Sequence, residues 1–279
     1  MRLLLTIVIF IPLMARSQQD TLKKFDSLSK YSYLLIGAIA PPENLGVRPG
    51  ILILTGNATG FFIRKGKKLY LVSAFHVFTG CDVYHGVFQD LRNEFLIVPY
   101  LDTMGILRKA TLPLSGFRDK PCKLFLDNPD VDVMDVSYTF KDGKINSIES
   151  MLPQKTKGKK FYDTNKYISY GFPGDRFQAY VYKTMNMDEE PNFYQGENAD
   201  SSQYDPYYDR KRIDSMCLII KPALFAGTSG SPIFKIVDSK KKRIETILFA
   251  GVQSGTNLFY NCSYIVREKQ LDKILDQLK

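Results

Sequence analysis

The sequence predicts an all-β protein of sandwich or barrel type, and three observations carry that expectation. Between Tyr31 and Tyr264 the chain divides into short runs rich in Val, Ile, Phe and Tyr, separated by clusters of Gly, Pro, Asn, Asp and Lys. That is the rhythm of antiparallel strands and their turns. The stretch GFFIRKGKKLYLVSAF, Gly60 to Phe75, joins two apolar runs through a basic turn and reads as a hairpin. Helical periodicity is confined to the two ends, at Asp20 to Ser29 and at Arg267 to Lys279. With 279 residues, 44% of them hydrophobic and 24% charged, the chain has material for a substantial core.

Residues 1–17 read as a secretory signal peptide rather than as part of the fold. Arg2 is the basic start, Leu3 to Met14 the apolar centre, and Ala15-Arg16-Ser17 the small-x-small cleavage site. The apolar run is short for a membrane span, which needs about 20 residues. The mature chain then begins near Gln18, and the protein is expected to be secreted or periplasmic, without stable membrane insertion. The 18–45 segment follows, with Asp20 to Ser29 as a short leading helix. Strand-like runs come next: Ile51 to Gly56, Phe95 to Tyr100, Asp135 to Phe140, Tyr167 to Phe172, Ala179 to Thr184, Cys217 to Pro222, Ser231 to Val237, Thr246 to Val252 and Asn257 to Val266. The polar stretch 184–212 interrupts them. It is longer than a usual connection and reads as a surface insertion, either disordered or a flap. The end segment 267–279 repeats apolar residues at Leu271, Ile274, Leu275 and Leu278, one stripe of a helix that packs on the body.

An extracytoplasmic protein keeps its cysteines in an oxidising compartment. The four here pair most simply as Cys81–Cys122 and Cys217–Cys262, each bridge within one half of the chain, with buried thiols as the alternative. No CxxC motif occurs and there are two histidines, so no metal site is expected. The net charge of +9 is spread over short clusters, two of them at expected turns, and no nucleic-acid motif accompanies them. Nucleic acid is not an expected partner.

The stretch FAGTSGSPIF, Phe225 to Phe234, sets small residues between apolar runs. A serine there becomes a nucleophile only with a base to take its proton, and histidine serves at neutral pH when a carboxylate orients it. His85 lies in a polar stretch, whereas His76 ends an apolar strand where a rigid element can present it at a cleft. Together, Ser73-Ala74-Phe75-His76 and Gly227-Thr228-Ser229-Gly230-Ser231-Pro232 resemble the chymotrypsin-like (trypsin-like) serine proteases, of the secreted bacterial type. Phe75 stands where that family has a small residue, and Ser231 where it has glycine. Further echoes are Thr59-Gly60-Phe61-Phe62, Gly171-Phe172-Pro173-Gly174 and Gly251-Val252-Gln253-Ser254-Gly255.

The resemblance implies two six-stranded antiparallel β-barrels, 46–150 and 151–266, followed by the C-terminal helix. It implies a catalytic triad of His76, Asp135 and Ser229. Asp135 is chosen because Asp135-Val136-Ser137-Tyr138 fits the family's acid-bearing strand; Asp132 is the nearby competitor and Asp130 a more distant one. The N–H groups of Gly227 and Ser229 would form the oxyanion hole. Ala223, Leu224 and Phe225, facing Ser254, Gly255 and Cys262, would line the primary specificity pocket. No acidic residue falls at its base, so a small or medium apolar P1 residue is expected. The implied function is a secreted serine endopeptidase acting on protein or peptide substrates without a cofactor. A catalytically inactive module of the same fold that binds a protein or surface is the alternative.

Overall fold

The computed structural model describes residues 25–42, 46, 50–90, 92–125, 127–148, 161–172, 191–199, 210–224, 227–239 and 245–278. The expected leader 1–17, the run Ala179 to Thr184, the dipeptide Pro173-Gly174 and the predicted pocket residue Phe225 lie outside the described residues.

Two six-stranded antiparallel units make up the body. The first contains β1 (Tyr33–Ile39), β2 (Ile53–Lys65), β3 (Lys68–Ser73), β6 (Phe95–Leu101), β7 (Leu107–Pro113) and β8 (Asp132–Asp135), in the order β7-β6-β1-β2-β3-β8. The short β4 (Cys81–Asp82) and β5 (Val87–Phe88) pair separately. The second is a closed barrel, β10-β11-β14-β13-β12-β9, built from β9 (Phe161–Gly171), β10 (Asn192–Asn198), β11 (Cys217–Lys221), β12 (Pro232–Ser239), β13 (Glu245–Asn257) and β14 (Cys262–Arg267). Four helices are described: α1 (Phe75–Thr79), α2 (Ser115–Arg118), α3 (Arg210–Met216) and the terminal α4 (Glu268–Gln277). A 3-10 turn, Asp26–Tyr31, leads in where a helix over 20–29 was expected.

The β2–β3 hairpin shows how the sequence builds the core. Lys65 pairs with Lys68, and Gly66 takes φ 61°, the left-handed conformation that a two-residue hairpin turn requires. Successive side chains of a strand point to opposite faces. Accordingly Phe61, Ile63, Tyr70 and Val72 enter one apolar cluster, while Phe62, Leu69 and Leu71 enter another. The second cluster fills the first unit together with Leu35, Leu96 and Leu112. The first extends into the barrel through Ile168, Phe234 and Phe249 and takes in Leu271 and Leu275 of α4. Both faces of the hairpin are therefore buried, and one apolar cluster spans the two units.

Three expectations are corrected. The first unit begins at Tyr33 rather than at residue 46, because β1 pairs with β2 and β6. The 184–212 stretch is not simply an insertion, because β10 closes the barrel between β9 and β11 and α3 begins at Arg210. Gly196 is the one buried residue of β10, so its pairing is written in backbone hydrogen bonds rather than in apolar alternation. The run Asp135 to Phe140 is not a strand: β8 ends at Asp135 and a turn follows.

The Cys81–Cys122 disulfide is formed. Cys217 and Cys262 are not bridged to each other. Cys217 pairs with Val266 and Ile220 with Ser263, so the two cysteines sit about four residues apart along the ladder, roughly 13 Å. Both thiols are buried in the cluster that joins the units.

Candidate active site

His76 is placed by the end of β3. The strand runs through Ser73, Ala74 breaks it in an extended conformation, and His76 is the second residue of the one-turn helix α1. The antiparallel register with β8 then decides which acid reaches it. Ser73 pairs with Asp132 and Tyr70 with Asp135, so each step back along β8 moves about 3.3 Å towards the histidine. Asp130, two residues before the strand, is the one that arrives.

Asp130 Oδ2 lies 2.8 Å from His76 Nδ1, and Asp130 Oδ1 accepts the His76 backbone N–H at 2.9 Å. Ser254 Oγ adds a third bond to Asp130 Oδ2 at 2.7 Å. The Asp130 side chain is fully buried and that of His76 is 25% exposed. Burial works against the charge on both groups. For Asp130 the His76 interaction and the bond from Ser254 outweigh it, and the carboxyl titrates below its ordinary value. For His76 the Asp130 carboxylate prevails over burial, with Asp82 adding to it, and the imidazole titrates above its ordinary value.

Asp135 is therefore not the partner of His76. Its carboxylate is 45% exposed, accepts the Ser137 hydroxyl at 2.6 Å and lies 3.8 Å from Lys68 Nζ. Asp132 pairs with Lys120 and with its own strand's Val133 N–H. The signal that could have found Asp130 is its position in the Asn128-Pro129-Asp130 turn at the entry to β8, abreast of the end of β3.

Ser229 stands in a tight turn between β11 and β12. Gly227 and Gly230 have φ of 87° and 88°, a region that disfavours side chains. A Cβ on Gly230 would run into the Thr59 carbonyl oxygen and Ser73 Oγ. The turn is held by Ser231 N–H to Thr228 O (2.9 Å) and Gly230 N–H to Gln253 O (2.7 Å). Thr59 ties it to the first unit: its N–H donates to Ser229 O (2.9 Å), and its hydroxyl donates to Gly227 O (3.0 Å) while accepting the Phe172 N–H (2.9 Å). Among the described residues, the N–H groups of Gly227 and Ser229 donate to no protein acceptor. The Ser229 hydroxyl donates to the Ser254 carbonyl at 3.2 Å rather than to His76.

The two departures from the family pattern have local partners. Phe75 is buried in the cluster that joins the units. Ser231 is buried, donates to Thr228 O at 2.6 Å, and occupies the space beside Gly171 where a Cβ would otherwise sit.

His76 and Ser229 face two cavities. One, of about 520 Å³, is lined by Leu224, Ser254, Gly255, Thr256, Leu258 and Tyr84. The other, of about 370 Å³, includes Gly227, Asn57 and Gln89. Of the predicted pocket residues, Leu224, Ser254 and Gly255 line the first. Ala223 does not, its N–H being held by Asn261 Oδ1 at 3.0 Å, and Cys262 is in the core instead. Asp82 also borders this cavity, and its carboxylate is taken up by His85 Nδ1 at 2.7 Å. Sequence reasoning passed over this second His–Asp pair and over Tyr84. Among the described residues, no group of three or more metal-ligating side chains is found, and no helix is long and apolar enough to cross a membrane.

Among solved structures, the chain is similar to a thermostable serine protease, AL20, from an extremophilic microorganism. The identity is 9% and the TM-score 0.37, over 90% of this chain and 97% of that one. It is similar also to the catalytically active tobacco etch virus protease complexed with product, at 12% identity and a TM-score of 0.38, over 89% of this chain and 78% of that one. No family model and no curated protein matches the sequence.

Proposed function

We propose that the protein is a serine endopeptidase with His76 as general base, Asp130 as its orienting carboxylate and Ser229 as nucleophile. The observation that carries this reading is the buried Asp130 bonded to both His76 Nδ1 and its backbone N–H, beside a glycine-bounded serine turn at the same cleft. Asp130 fixes the tautomer with the proton on Nδ1 and leaves Nε2 to accept one. Ser229 Oγ attacks the scissile carbonyl carbon and gives its proton to His76. The C–N bond then breaks as His76 passes that proton to the leaving nitrogen, and an acyl-enzyme remains. Water repeats the sequence, its proton going to His76 and back to Ser229. The open N–H groups of Gly227 and Ser229 hold the oxyanion of each tetrahedral intermediate; losing one such donor typically costs about 3–4 kcal/mol.

Two cavities that share His76 and Ser229 in their linings suit a chain that extends beyond the scissile bond, hence an endopeptidase. Val83, Leu224 and Leu258 give the larger cavity an apolar lining suited to a small or medium apolar P1 residue. The Cys81–Cys122 bridge and the 1–17 leader support export to a periplasm or beyond.

The second reading, an inactive binding module, rests on the Ser229 hydroxyl bonding to Ser254 O instead of to His76. Such contacts are often loose before substrate binds. Incubation with an unfolded protein substrate separates the two. The endopeptidase reading predicts cleavage by the wild type and none by Ser229→Ala, with product ends after apolar residues. Intact substrate with both proteins, together with retained binding, would favour the inactive module.

A further inference from the structure

Tyr84 has no part in the chemistry above, yet it sits against the centre of the site. It follows β4, three residues after the bridged Cys81, and its ring stacks on Phe125 with centroids 5.7 Å apart. Its hydroxyl is enclosed and, among the described residues, makes no hydrogen bond. A Cβ on Gly255 would fall within the volume of that hydroxyl, so the oxygen lies hard against the Ser254–Gly255 backbone. The polar side chain next to it is Ser254, whose single proton is committed to Asp130 Oδ2 at 2.7 Å. Ser254 Oγ is therefore left with lone pairs only, and they need a donor.

We propose that Tyr84 is a positioning residue, its hydroxyl donating to Ser254 Oγ so that Tyr84, Ser254, Asp130 and His76 form one hydrogen-bonded chain. Burial pushes the Tyr84 phenol well above its ordinary value and the Asp130 charge adds to this, so the group stays protonated and acts as a donor. The other titratable groups around the chain are Asp82, which faces His76, and Tyr264 and Cys217, which face Tyr84. The donated hydrogen puts the positive end of a dipole towards Asp130. It strengthens the Ser254–Asp130 bond, drains some charge from the carboxylate and moderates the rise in the His76 pKa. More of the histidine is then neutral, and ready to act as base, near pH 7.

This inference rests on the serine-protease reading for its catalytic meaning, but its test does not. The chain has two histidines, so an NMR titration of both imidazoles, assigned with His85→Gln, reads His76 directly. Tyr84→Phe keeps the ring on Phe125 and is predicted to raise the His76 midpoint by roughly 0.5–1 unit. Below that midpoint, labelling by a fluorophosphonate probe should slow about 3–10-fold, as fewer histidines are neutral, and rates should converge at high pH. Ser254→Ala removes the acceptor and is predicted to raise the midpoint on its own and to abolish any further effect of Tyr84→Phe. An unchanged His76 midpoint in Tyr84→Phe, or an undiminished effect in the Ser254→Ala background, would overturn the proposal. A raised His76 midpoint in Tyr84→Phe, with a wild type that takes no label, would leave the chain of bonds standing and reject the protease reading.

Discussion

Asp130 gathers three hydrogen bonds in a place water does not reach, and two predictions follow from its geometry. Asp130→Asn should leave the fold intact and lower kcat roughly 10⁴-fold, because an amide cannot hold the imidazole in the required tautomer. Asp135→Asn, altering an exposed carboxylate bonded to Ser137, should stay within about twofold of wild type; steady-state kinetics on a peptide substrate compares the two. The pH dependence has a defined sign. His76 titrates above 6.5 in the folded protein, and the base must be neutral, so kcat/KM should rise along an acid limb centred above 6.5. The pair's stabilising effect has the matching window. The His76 share is full below 6.5 and is lost as pH rises through its raised value; the Asp130 share is full above 3.8 and is lost as pH falls through its depressed one. That His76 and the Ser229 turn would meet at one cleft was readable from the resemblance, because small, distinctive residues surround both. Asp130 was not, since the match at Asp135 treated the last residue of β8 as the head of a strand. Strand register, a long-range property, chose the acid.

At the scale of elements, the segment from Cys81 to Gln89, tied to Cys122 at its start, carries Tyr84, Asp82 and Gln89 to the cleft. Closing a loop of 41 residues should stabilise the fold by about 4 kcal/mol on chain-entropy grounds. Replacing both cysteines by Ala should lower the free energy of unfolding by that order, as measured in urea, with the loop loosened against the site. The β2–β3 hairpin was readable because two continuous apolar runs flank a basic, glycine-bearing turn, and α4 because its apolar residues recur at a period near 3.6. β10 was hidden for the opposite reason: Asn192-Phe193-Tyr194-Gln195-Gly196-Glu197-Asn198 has no buried face to advertise, and only its neighbours β9 and β11 make it a strand.

Across the whole molecule, the site lies where the two units meet, with His76 and Asp130 from the first and Ser229 and Ser254 from the second. One apolar cluster joins the units, and Thr59 supplies the polar latch, holding Gly227 O, Ser229 O and the Phe172 N–H from a single residue. Thr59→Val keeps the shape but leaves the Gly227 carbonyl and the Phe172 N–H without their partner. It should cost about 2–3 kcal/mol of stability, seen in urea unfolding, and lower kcat more than it raises KM, because the turn that carries the nucleophile loosens. The all-β character followed from residue patterns and the two-unit plan from the resemblance, but the latch depends on contacts between segments more than 100 residues apart.

The central claim is that Ser229 is the activated nucleophile of this interface, and the most direct measurement is to map a fluorophosphonate adduct by peptide mass spectrometry. Phosphonylation is expected at Ser229 in the wild type, with loss of the adduct in Ser229→Ala and strong slowing in Asp130→Asn, Asp135→Asn being unaffected. An adduct on Ser231, or none on any serine of the folded protein, would contradict it.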